Sequence, residues 1–259
     1  FLISSINLAG LRTMRLSFVD FYAKRIKRIF PALTLVLITT LVMGWYLLGP
    51  PDFKQLGKHV FAGSAFFSNL AFWREAGYFD ADSVNKPLLH LWSLAIEEQF
   101  YMLWPLTLFL LHKWRRNTLR VVFGLILISF AINLGLVKDH PTAAFYNPLA
   151  RFWELLIGAL LAAMQTYRLG WSAVFRPGVW GQGPDELPER HPLRNNICAW
   201  VGAAMLVLVL VRITPERTFP GWWALLPTVG TALLITAGPK AWFNQHILGS
   251  KPFVWVGLI

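Results

Sequence analysis

Ile29-Phe30-Pro31-Ala32-Leu33-Thr34-Leu35-Val36-Leu37-Ile38-Thr39-Thr40-Leu41-Val42-Met43-Gly44-Trp45-Tyr46-Leu47-Leu48-Gly49 is an apolar run without a single charge, closed by Pro50 and Pro51. A bilayer core about 30 Å thick needs roughly 20 such residues in a helix, so this run predicts a membrane span. Directly before it stands Lys24-Arg25-Ile26-Lys27-Arg28, a basic cluster of the kind that flanks a span on its cytoplasmic side. The same reading along the chain predicts further spans at 91–111, 119–137, 151–167, 197–213 and 221–238, with pieces of two more at the ends. The predicted fold class is all-α, a polytopic transmembrane helix bundle.

Composition points the same way. The 259 residues are 56% hydrophobic and 14% charged, against about 25% charged in an average soluble domain. Mean hydropathy is +0.49. One soluble core could not hide that much apolar surface, and the same figures exclude disorder, a coiled coil and a disulfide scaffold. The net charge of +11 would suggest nucleic acid on a soluble protein. Here the cations flank spans, so the lipid bilayer is the partner and nucleic acid is not. Cys198 is the single cysteine, which rules out an internal disulfide and a Cys-based metal site; no metal site is read anywhere.

The run 59–73 is apolar but short, and it holds Gly63, Ser64, Ser68 and Asn69. It predicts a re-entrant or packed helix that does not cross. On that count, sixteen Lys and Arg fall on one side, in Arg12–Arg28, Lys113–Arg120, Arg168–Arg194 and Lys240–Lys251, and eight on the other. The richer side is then cytoplasmic. A crossing 59–73 would instead put His112–Arg116 outside. The polar stretch 168–196 predicts an irregular connection rather than a domain. The chain opens at Phe1 inside one apolar stretch and stops at Ile259 inside another, so it is expected to be a piece of a longer protein.

Three constellations could carry chemistry. Arg25 and Arg28 are three apart and share a helix face. They could chelate the phosphates of a cytoplasmic donor, or simply grip anionic lipid as a topology anchor. In Leu91-Trp92-Ser93-Leu94-Ala95-Ile96-Glu97-Glu98-Gln99-Phe100-Tyr101, two carboxylates lie inside a span, where ionisable groups are costly and by default functional. Neighbouring residues point about 100° apart on a helix. Glu97 shares a face with Phe100 and Tyr101, and it is expected to matter more than Glu98. The bland alternative is an interhelical ion pair. His90, at the helix start, is a proton carrier or an interfacial residue. Arg151 and Glu154 are again three apart, an active pair or an intrahelical salt bridge. Gly158, Ala159, Ala162 and Ala163 beyond them supply a small-residue face for close helix contact.

The order and wording of these segments resemble the acyltransferase 3 family, membrane-bound O-acyltransferases that decorate bacterial surface polysaccharides. Phe21-Tyr22 through Pro31 is similar to that family's Phe-Tyr-x-Arg-Arg-x-x-Arg motif, with Lys24 in place of the first arginine. His90 through Tyr101 resembles its most recognisable segment, and Arg151 through Gly158 another. The resemblance implies one domain over 1–259, truncated at both ends, in the inner (cytoplasmic) membrane. It implies acyl transfer, with acetyl the expected group, from cytoplasmic acyl-CoA (acetyl-CoA). The acceptor would be a hydroxyl of a surface polysaccharide such as lipopolysaccharide, or of a lipid-linked glycan, with no bound cofactor. Lys24, Arg25 and Arg28 would hold the coenzyme A phosphates. Glu97, His90, Tyr101, Arg151 and Glu154 would form the catalytic set, Glu97 as a supporting or acid/base group. The family's catalytic histidine is expected upstream of Phe1, so the fragment alone is expected to be inactive. A transporter using Glu97, Glu98, Glu154 and Arg151 is the alternative, and a non-catalytic membrane scaffold a third.

Overall fold

The computed structural model describes residues 1–13, 17–76, 86–167, 192–212 and 219–258. Among them there are helices and no strands: α1 (Leu2–Arg12), α2 (Phe18–Leu47), α3 (Pro50–Ser64), α4 (Ser68–Glu75), α5 (Leu91–Lys113), α6 (Thr118–Val137), α7 (Pro141–Tyr146), α8 (Pro148–Thr166), α9 (Pro192–Arg212), α10 (Leu225–Ala237) and α11 (Lys251–Leu258). Five of these, α2, α5, α6, α8 and α9, are long and apolar enough to cross a membrane. They correspond to five of the six expected spans. The sixth is a shorter apolar helix, Gly221–Ala237, whose first turn, Gly221–Ala224, is a tight 3₁₀ turn leading into α10. The protein is a multi-pass membrane helix bundle.

Local chemistry sets the helix starts. Ser17 Oγ accepts from the Asp20 amide, and Asp20 adds a carboxylate to the first turn of α2, where it complements the helix dipole. Asn117 caps α6 and Asn147 caps α8 in the same way. Prolines stand in the first turn of α3, α7 and α8, where a missing N–H costs nothing. The basic run Lys24–Arg28 is helical and belongs to α2, which is therefore 30 residues long.

The 59–73 run is two helices joined by a reversal at Ala65–Phe67, with Phe66 in the left-handed region at φ 58°. α3 runs back along α2: Leu56 packs against Gly44, Gly63 against Leu37, and the Phe66 ring stands edge-on to Phe30, 5.9 Å between centroids. α4 then returns beside α3. At 1.5 Å per residue the two helices measure about 22 Å and 12 Å, each too short to cross. Of the expected irregular connection 168–196, residues from Pro192 onward are already helical in α9; 168–191 lie outside the described residues.

The main core lies between α1, α5, α6 and α8, around Leu8, Trp104, Val122, Trp153 and Ala162. Polar groups fasten it where lipid offers no hydrogen bonds. Trp104 Nε1 donates to Ser4 Oγ at 2.8 Å. Ser129 Oγ donates to the Leu149 carbonyl and accepts from the Trp153 amide, and Asn133 Nδ2 donates to the Ala150 carbonyl at 3.0 Å. The expected small-residue face of α8 is buried at Ala159, Ala162 and Ala163, and at Gly158 it meets the residue that leads into α1: a Cβ there would come within 2.8 Å of the Phe1 backbone nitrogen. A second core joins α2, α3 and α5 around Leu33, Leu37, Leu56 and Leu91.

Candidate functional site

Helices α2 and α5 run antiparallel, with Phe18 against Phe109 and Tyr22 Oη donating to the Met102 carbonyl at 2.8 Å. That register brings Arg25, two turns into α2, to Glu98, two turns into α5. Arg25 Nη2 donates to Glu98 Oε1 and Arg25 Nε to Oε2 at 3.3 Å, a two-pronged pairing of the fork geometry that guanidinium and carboxylate favour. The Tyr101 ring lies beneath the guanidinium, 3.8 Å from its centre.

The structure sets the two carboxylates apart. Glu98 is the buried one, with 6% of its surface exposed, while Glu97 is exposed. Arg25 is likewise no free cation at a membrane rim; it is the counter-ion of Glu98. The reason is α5 itself, which is apolar almost all round, so no polar stripe marks its outer face and the packing of α2 chooses the inward carboxylate.

A cavity of about 380 Å³ opens between α1, α2, α5 and α8. Arg25, Arg28, Glu97, Glu98 and Tyr101 all reach it. The i, i+3 spacing of the two arginines thus does put both on one wall. Tyr101 Oη donates to Glu97 Oε2 at 3.5 Å. Lys24 and His90 are exposed and line neither this cavity nor the next. His90 precedes α5, and its carbonyl accepts from Ser93 Oγ at 3.2 Å.

Arg151 and Glu154, on the first turns of α8, line a second cavity of about 390 Å³ toward α10, with Nη1 and Oε1 3.1 Å apart. Three rings surround the Arg151 guanidinium, Trp92 at 5.6 Å, Phe145 at 5.8 Å and Phe219 at 5.6 Å. The spacing of Arg151 and Glu154 announced the ion pair. Nothing in the sequence announced the rings, which come from three separate elements.

A third polar group was not expected from the sequence at all. His59 on α3, only 3% exposed, sits with Nε2 at 2.8 Å from Glu75 Oε2 on α4; Gln55 Nε2 and Lys86 Nζ approach the same oxygen at 3.4 Å and 3.7 Å. These contacts pin the two arms of the α3–α4 hairpin together. Gln99 of α5 holds its tip, donating to the Phe66 carbonyl at 2.8 Å and to Asn69 Oδ1 at 2.9 Å.

With this geometry in place, similarity to known proteins can be read. The family model for acyltransferase 3, an acyltransferase domain, matches residues 1–247. The chain belongs to the acyltransferase 3 family. An uncharacterised protein of Haemophilus influenzae is 32% identical over 91% of this chain and 93% of its own length. The peptidoglycan O-acetyltransferase OatA of Listeria monocytogenes is 26% identical over 95% of this chain and 39% of that protein. The putative peptidoglycan O-acetyltransferase YrhL of Bacillus subtilis is 29% identical over 99% of this chain and 40% of that protein. The chain thus spans about two fifths of the length of these two named relatives. No solved structure matches. Membership of this family and these relatives support an O-acyltransferase.

Proposed function

We propose that this acyltransferase 3 protein moves an acetyl group from acyl-CoA on the cytoplasmic side to a hydroxyl of an envelope glycan, in the inner membrane. Peptidoglycan, named for the relatives, and lipid-linked or surface polysaccharide share that acceptor chemistry. The observation that carries the reading is the cavity in which Arg25 and Arg28 of α2 meet Glu97 and Tyr101 of α5, two cations beside a carboxylate–phenol pair. Cations on one wall suit the phosphates of the donor.

In the transfer step a base takes the acceptor proton as the hydroxyl oxygen attacks the thioester carbonyl carbon. The new C–O bond forms, the C–S bond breaks, and the coenzyme thiolate leaves and collects a proton. Glu97 is assigned to acid/base support of that exchange, since it is free of the Arg25 pairing and already hydrogen-bonded to a phenol. Glu98 holds Arg25 in place.

Arg28 makes the cleaner test than Arg25, because its removal leaves the Glu98 pair intact. Arg28→Ala should weaken acetyl-CoA binding to the purified protein by about tenfold or more, the worth of one charge-assisted hydrogen bond. Arg28→Lys should restore part of the loss, because charge returns without the fork. Calorimetric titration showing unchanged affinity in Arg28→Ala would leave Arg28 as a topology anchor only.

A further inference from the structure

The cavity over Arg151 and Glu154 is distinct from the one over Arg25 and Arg28, though Phe1 and Leu155 line both. Its volume, about 390 Å³, falls in the range of small-molecule sites. Its polar groups are one guanidinium, one carboxylate and the hydroxyls of Thr228 and Thr231, one turn apart on α10. A self-sufficient intrahelical salt bridge would spend its own hydrogen bonds. Here Arg151 Nη1 and Glu154 Oε1 are buried and pair at 3.1 Å, off the geometry of a good hydrogen bond. The guanidinium is meanwhile held by Trp92, Phe145 and Phe219, a fixed cation with donors left over. Fixed polar groups with unused capacity on a cavity wall are what a bound polar ligand would complete.

The charge of this wall selects among ligands. Arg151 and Glu154 cancel, so an anion gains little here. A neutral polyol suits it better: Glu154 accepts from hydroxyls, Arg151 donates to hydroxyl or ring oxygens, and Phe219 offers an apolar face to C–H groups. We propose that this second cavity is the acceptor subsite and that it binds a neutral carbohydrate ring through Glu154, Arg151 and Phe219. The proposal rests on the acyl-transfer reading above and names where its acceptor is held.

The test uses the purified full-length protein in lipid nanodiscs, acetyl-CoA, and two acceptors: a soluble peptidoglycan-type oligosaccharide and the same oligosaccharide on a polyprenyl carrier. Glu154→Gln and Thr231→Val should raise the acceptor KM, Glu154→Gln by tenfold or more, while the Kd for acetyl-CoA stays unchanged. Whichever acceptor saturates the wild-type protein identifies the source of the glycan. An oligosaccharide carrying a diazirine should also crosslink wild-type protein within Arg151–Gly158 or Phe219–Ile235, a readout that needs no variant. Unchanged acceptor KM in folded Glu154→Gln, or crosslinks confined to other segments, would overturn the subsite. Wild-type protein that transfers to neither acceptor would instead overturn the acyl-transfer reading, and the crosslink position would still judge the cavity.

Discussion

Glu98 supplies one of the two charges at the crossing of α2 and α5, and neutralising it strands the other. Both side chains are largely withdrawn from solvent, at 18% and 9% exposure for Arg25 and Glu98. Breaking such a pair from one side costs about 3–5 kcal/mol. Glu98→Gln should therefore lower the thermal unfolding temperature of the purified protein by several degrees, whereas Glu97→Gln should leave it near wild type. Acetyl transfer per folded molecule of the full-length protein should show the opposite order, falling in Glu97→Gln. A Glu97→Gln protein that melts early while Glu98→Gln does not would reverse the facing of the two residues. The sequence displayed two adjacent carboxylates in a span and the cost of keeping them there. It carried no mark of which one Arg25, 73 residues earlier, would meet.

At the scale of the element, helix contact is governed by where side chains are absent. α9 and α10 cross at Gly202 and Gly230 so closely that a Cβ on Gly202 would sit 2.6 Å from the Gly230 carbonyl oxygen. Gly124 in α6 has nothing within 4 Å of its Cβ position. Gly202→Ala should thus destabilise the protein by forcing the two helices apart. Gly124→Ala should be neutral or stabilising, since alanine is favoured over glycine in a helix interior by about 1 kcal/mol. Thermal melts of the two variants in one detergent check the contrast; equal effects would mean that the close crossing is not maintained. The small-residue face of α8 was legible as Gly158, Ala159, Ala162 and Ala163. That Gly158 lies against Phe1, the residue leading into α1, was not, because a small face specifies closeness and leaves the partner open.

For the whole molecule, the decisive feature is the hairpin of α3 and α4, which leaves α2 and α5 antiparallel neighbours without an intervening span. With Cys198 replaced by serine, single cysteines at Asp52, Arg74 and Asp139 should react with an impermeant maleimide from one side of the membrane. A cysteine at Arg115 should react from the other, and the basic clusters make that side cytoplasmic. Opposite labelling of positions 52 and 74 would mean that the hairpin crosses. The length and polar content of 59–73 already argued for a turn back. The pin that closes it, His59 with Glu75 and Lys86, stayed hidden because its members lie on three segments and each looks ordinary alone.

Apolar runs, caps, prolines and the sidedness of Lys and Arg are local quantities, and the sequence by itself determined what depends on them: a helical bundle, the places of six apolar spans, a run over 59–73 too short to cross, and two arginines on one helix face. That the sixth span is shorter and that 59–73 is two helices came from the structure. Which carboxylate of Glu97 and Glu98 turns inward, which rings enclose Arg151 and where the two cavities open were decided only by tertiary structure. A helix that is apolar all round can be rotated about its axis with little change in its own burial energy. Its rotation is therefore set by the neighbours it packs against, and those contacts join residues that no local pattern relates.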